Sequence, residues 1–127
     1  MPLFAAAFAL VAAAFHVLFF VLESVVFTQP PIAARFGLTS PEQIAAVRPM
    51  AFNQGFYNLF LAIGIVGGLV LVASGSVDAG RAIVLFASTC MVGAGLVLLA
   101  TNRRFARSAA IQAGPPLIAI VLSVVLR

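Results

Sequence analysis

Apolar residues run almost unbroken through four stretches of this chain, 3–27, 52–73, roughly 81–100 and 108–126, with polar breaks between them. A helix needs about 20 apolar residues to cross the hydrocarbon core of a bilayer, and each stretch meets or nearly meets that length. The pattern predicts an all-α membrane protein, a four-transmembrane-helix bundle set in the lipid bilayer as one domain over residues 1–127. The second break, 74–78, reads as a tight turn. The third, 101–107, is short and basic. The first, 28–51, is long and has order of its own. Ser40-Pro41-Glu42-Gln43 places a serine at the N-cap, a proline at the first helical position and a glutamine at the third, which is a capping box. Ile44, Val47 and Met50 follow at three-residue spacing. Together they predict a short interfacial helix in the first loop, ending near Pro49.

Composition sharpens this picture. The chain is 64% hydrophobic and only 8% charged, and a soluble domain needs far more polar surface. The formal charge of +4 comes from seven arginines and no lysine. No basic block interleaved with aromatic residues suggests nucleic acid, so the arginines read as a topology signal. Loops one and three share a side and hold Arg35, Arg48, Arg103, Arg104 and Arg107, against Arg81 and Arg127 on the other. The positive-inside rule puts both loops in the cytoplasm and both termini outside, in a multi-pass protein of the plasma (inner) membrane. Heavy use of Ala, Val, Leu and Gly without lysine fits a bacterial source. The first stretch lacks a positive n-region and exceeds a signal-peptide core, so it reads as a retained span. Cys90 is alone, cannot form an intrachain disulfide, and reads as a small buried hydrophobe. Gly64, Gly67 and Gly68, with Gly93 and Gly95, mark faces where helices approach closely.

The polar residues inside the spans carry the candidate chemistry. The chain has three acids, and Glu23 lies within the first apolar run, which also holds the only histidine, His16. An ionisable side chain in a membrane helix is costly and usually has a partner or a task. Seven residues are about two α-helical turns, so His16 and Glu23 fall within about 20° on one face and about 10 Å apart along the axis. The second span opens with Asn53-Gln54-Gly55-Phe56-Tyr57-Asn58. By four-residue spacing Asn53 and Tyr57 share one edge, and Gln54 and Asn58 the next. The third span ends at Asn102 and the fourth opens with Gln112. Every span therefore offers polarity at one depth, near the cytoplasmic face. Gly114-Pro115-Pro116 follows Gln112; the prolines leave the carbonyls near Ile111 and Gln112 without helical donors.

The run from Asn53 to Ala62 resembles the signature of the DUF1304 family of small bacterial integral membrane proteins. His16, Glu23 and Gln112-Ala113-Gly114-Pro115 look like that family too, and the resemblance covers essentially the whole chain. Many members carry an aromatic-rich stretch ending in tryptophan directly after the glutamate; here it is Ser24-Val25-Val26-Phe27. The family is one of unknown function, so the resemblance implies a four-helix membrane fold and little chemistry.

Three readings follow from the residues. One is a binding or transport protein in which Glu23 exchanges a proton for a small cationic or amphipathic molecule. A single four-helix unit is thin for a pathway, so a homodimer is then expected. The second is a membrane enzyme or receptor for a lipid-like molecule, with Glu23 and His16 handling protons and Asn53, Tyr57, Asn58 and Gln112 orienting a polar head. The third is a structural or accessory subunit whose amides fix helix pairing. No catalytic constellation, cofactor motif or metal-ligand spacing is found; His16 and Glu23 stand too far apart along the axis to share one ion directly.

Overall fold

The computed structural model describes residues 1–126; Arg127, counted above among the arginines opposite loops one and three, lies outside the described residues. Helix α1, Leu3–Phe20, is built of alanine, phenylalanine, leucine and valine around the single polar residue His16, without a glycine or proline. At Val21 it widens into a π-helical turn, Val21–Val25, in which the Val26 N–H donates to the Val21 carbonyl at 3.0 Å. A short helix α2, Pro30–Arg35, follows, with proline in its first turn. Then come α3, Pro41–Ala73, α4, Val77–Thr101, a 3-10 turn, Arg103–Phe105, and α5, Ala106–Val125. No strand occurs among the described residues.

Four helical segments, Leu3–Val25, Pro41–Ala73, Val77–Thr101 and Arg103–Val125, are long and apolar enough to cross a membrane. The chain is thus an all-α, multi-pass membrane protein. The turn between α3 and α4 is as tight as its sequence requires: Gly75 takes φ +98°, a conformation that costs glycine nothing and other residues much.

The capping box forms as its residues dictate. The Gln43 N–H donates to Ser40 Oγ at 3.2 Å, and the Gln43 side-chain oxygen accepts from the N–H groups of Ser40 and Thr39 at 3.3 and 3.0 Å. The helix it opens does not end near Pro49, however. It runs on through Pro49 as the 33-residue α3. Proline removes one helical hydrogen bond, leaving the carbonyl of Ala45 without its donor. Ala45 is exposed, and one lost bond does not outweigh the long helix-forming run beyond it. The short helix of the first loop is α2. At about 1.5 Å per residue α3 is about 50 Å long, against a hydrocarbon core of about 30 Å.

The chain forms two compact units, Met1–Phe15 with Leu61–Arg127, and His16–Phe60. In the first, the buried core is Ala9, Ala12, Ala13, Ala62, Ile65, Val84, Ala87, Met91 and Ala119. Small side chains are inside and large ones outside: Phe86, Val97 and Val125 are 70%, 63% and 71% exposed. Lipid tails are as apolar as leucine, so nothing drives large side chains inward, and close backbone approach supplies the attraction. A Cβ on Gly68 would come within 2.9 Å of the Gly80 carbonyl oxygen, and one on Gly80 would overlap the Gly68 carbonyl. Gly95 meets Ala113 in the same way, at 2.8 Å between Cβ atoms. Gly67 and Gly93 face open space instead, so the close approach belongs to Gly68 and Gly95. The Arg81 guanidinium donates to the Ser123 carbonyl at 3.1 Å, where a cation meets the carbonyls of the last turn of α5. Helix α5 runs unbroken through Pro115 and Pro116, and Pro116 is buried.

Candidate functional site

In the His16–Phe60 unit the first span meets the start of the second through two consecutive residues. Glu23 lies in the π turn, and its Oε2 accepts a hydrogen bond from Asn58 Nδ2 at 2.8 Å. Its neighbour Ser24 donates its hydroxyl to the Phe52 carbonyl at 2.7 Å. Gly55 sits between these contacts: a Cβ there would overlap the Ser24 hydroxyl and come within 3.1 Å of the Ser24 nitrogen. Residues 52, 55 and 58 recur at three-residue spacing, so they form one face of α3. That face supplies in turn a carbonyl, a gap and an amide.

The π turn is what lets adjacent residues both reach it. Inserting i→i+5 bonds packs more residues into a circuit than an α-helix does, and such turns are frequent at functional sites. The same turn corrects the phase read from sequence for His16 and Glu23. Their seven-residue spacing places them on one face only if 3.6 residues complete every turn, and from Val21 onward that period is broken. His16 is fully buried and stands edge-on to Phe19, ring centroids 5.4 Å apart.

Aromatic rings pack the flank of this contact. Phe52, Phe56 and Phe60 recur every four residues along α3, and Phe56 also meets Phe20 of α1, edge to face, at 5.1 Å. Edge-to-face pairs of this kind add to apolar burial and hold the two helices beside the carboxylate.

The other amides of the second span behave differently. Asn58 is buried, at 4% exposure, while Asn53, Gln54 and Tyr57 are exposed. Of the four polar side chains that open this span, Asn58 is thus the one brought to Glu23. Gln112 is half-buried in α5, in the other unit. Asn102 caps the 3-10 turn, its side-chain oxygen accepting from the Arg104 N–H at 3.1 Å. Among the described residues no three histidine, cysteine or acidic side chains gather to hold a metal ion.

Sequence reading missed Ser24 and Gly55. A signal for each was present: Ser24 adjoins the glutamate, and a glycine amid polar residues in a membrane helix marks a close neighbour. The π turn has no such signal, because Val-Leu-Glu-Ser-Val is equally compatible with an α-helix.

Chemically, the arrangement presents a carboxyl group, held by a neutral amide, in a span whose other polar side chains are His16 and Ser24. It can accept a proton or a cation, and it has a hydrogen-bond donor already fixed in place. The family model described as "Protein of unknown function (DUF1304)" matches residues 10–124, nearly the whole chain. No curated protein and no solved structure matches it.

Proposed function

This chain belongs to the DUF1304 family, and from that premise we propose that Glu23 and Asn58 form a polar site that binds a small cationic or amphipathic molecule and exchanges it for a proton across the membrane. The observation that carries this reading is the hydrogen bond from buried Asn58 to the Glu23 carboxylate inside a π turn. A glutamate that only snorkelled to the interface would need no buried amide. A carboxylate held by a neutral partner keeps its capacity to trade a proton for a cation, which an arginine partner would quench.

The depth of the pair fits this role. Glu23 stands two residues before the end of the Leu3–Val25 span. About 22 Å of helix rise separates Asn58 from Ala73 at the far end of α3, which falls inside a core about 30 Å thick and toward the side of the first loop. The arginine bias between loops supports a cytoplasmic position for that side, with both termini outside, and a plasma-membrane setting belongs to the same reading. A second copy of the chain would complete a pathway that a single set of four spans is too narrow to enclose. His16 is not needed as a base in this scheme; it packs the same span from within.

Purified protein in sealed vesicles tests the proposal. An imposed proton gradient should drive uptake or release of amphipathic cations with the wild-type chain. Glu23→Gln, which keeps size and hydrogen bonding but not the titrating proton, should abolish that coupling. Unchanged flux in Glu23→Gln would reject the assignment.

A further inference from the structure

Three arginines gather where α5 begins. Arg103 and Arg104 lie in the 3-10 turn and Arg107 in the first turn of α5. All three are exposed, whereas Phe105 between them is half-buried. Arg107 follows Arg104 by three residues and Arg103 by four, the spacing that brings side chains onto one face of a helix. The intervening phenylalanine turns inward and the guanidinium groups turn out.

Nothing in this part of the chain neutralises them. The last acidic residue in the sequence is Asp78, so no carboxylate side chain lies in the final 49 residues (79 to 127). Among the described residues none of the three guanidinium groups makes an ion pair or a hydrogen bond. Asn102, which precedes this turn, accepts its hydrogen bond from the Arg104 backbone and not from a guanidinium. The N-terminus of the 20-residue α5 adds its own partial positive charge at the same place.

The cluster also has a defined depth. The segment long and apolar enough to cross a membrane is Arg103–Val125, so the three arginines stand at its polar start, the end that a spanning helix presents to lipid headgroups. We infer that Arg103, Arg104 and Arg107 form a binding surface for the phosphate of an anionic phospholipid headgroup. Planar guanidinium groups match phosphate oxygens in pairs. Basic clusters next to a span recognise anionic lipids through this attraction. Phe105 is half-buried while the three arginines around it are exposed, so the cluster is presented outward. This inference is independent of the role given to Glu23.

The test is titration of the purified full chain in neutral detergent with short-chain phosphatidylglycerol, read by native mass spectrometry, with short-chain phosphatidylcholine as the neutral-headgroup control. The wild-type chain should bind phosphatidylglycerol in clear preference. Each arginine changed to glutamine should weaken that binding about fivefold, and the triple variant Arg103→Gln, Arg104→Gln, Arg107→Gln about a hundredfold. Binding of phosphatidylcholine should not move. Equal affinity for the two lipids in the wild type would overturn the inference, as would an unchanged preference in the triple variant. If inorganic phosphate competes as strongly as the lipid, the surface takes a free anion and the lipid assignment fails. Should the triple variant not fold, Arg104→Gln and Arg107→Gln singly decide between the same outcomes, since each alone must weaken the lipid and leave the control unchanged.

Discussion

Asn58 is the residue on which the Glu23 site turns. Its amide is buried and donates to the carboxylate at 2.8 Å, so removing it leaves an acceptor inside the membrane without its donor. Asn58→Leu should lower stability in reversible micelle unfolding by about 1–2 kcal/mol. The double variant with Glu23→Leu should cost less than the two single changes added together, because each group is expensive mainly when the other is gone. Additive losses would mean that the two side chains do not depend on each other. Ser24 belongs to the same account. Its bond to the Phe52 carbonyl ties the π turn to a backbone atom, and a backbone atom cannot rotate away.

Between elements, the decisive position is Gly55. Gly55→Ala puts a methyl group where the Ser24 hydroxyl already lies and tight against the Ser24 nitrogen, and overpacking of this kind costs about 1–3 kcal/mol. Gly67→Ala, which meets nothing within 4 Å, should stay within about 0.5 kcal/mol of wild type in the same unfolding measurement. The contrast shows what the sequence made legible. Four apolar runs, the capping box at Ser40 and the concentration of polarity around residues 53–58 all follow from local pattern, and local pattern is what length, period and hydrogen-bonding chemistry determine. Which of four neighbouring polar side chains would turn inward does not follow. Asn53, Gln54, Tyr57 and Asn58 lie within two turns, and their fates depend on the helix opposite. Gly67 and Gly68 are indistinguishable in sequence for the same reason. Pro49 misled because a proline is a helix stop only when the residues beyond it gain little by continuing.

For the molecule as a whole, the arginine bias makes a prediction about direction. In a Cys90→Ser background, Ser76→Cys in the turn between α3 and α4 should react with a membrane-impermeant thiol reagent applied outside cells. Thr28→Cys, at the end of the first span, should react only after the membrane is opened. The reverse pattern would invert the orientation and place Glu23 toward the outer face. Helix α3 bears on this as well. Its length exceeds the hydrocarbon thickness by about 20 Å, so the segment carrying Glu42, Gln43 and Arg48 reaches beyond the acyl chains. The π turn, finally, amounts to one surplus amino acid in an otherwise regular coil. Excising Val21 would restore an uninterrupted i→i+4 ladder and swing His16 and Phe19 about 100° around the axis relative to Glu23. A single codon gained or lost would therefore separate a plain spanning rod from one that aims two adjacent side chains at its neighbour, which is a short mutational step for the origin of such a site.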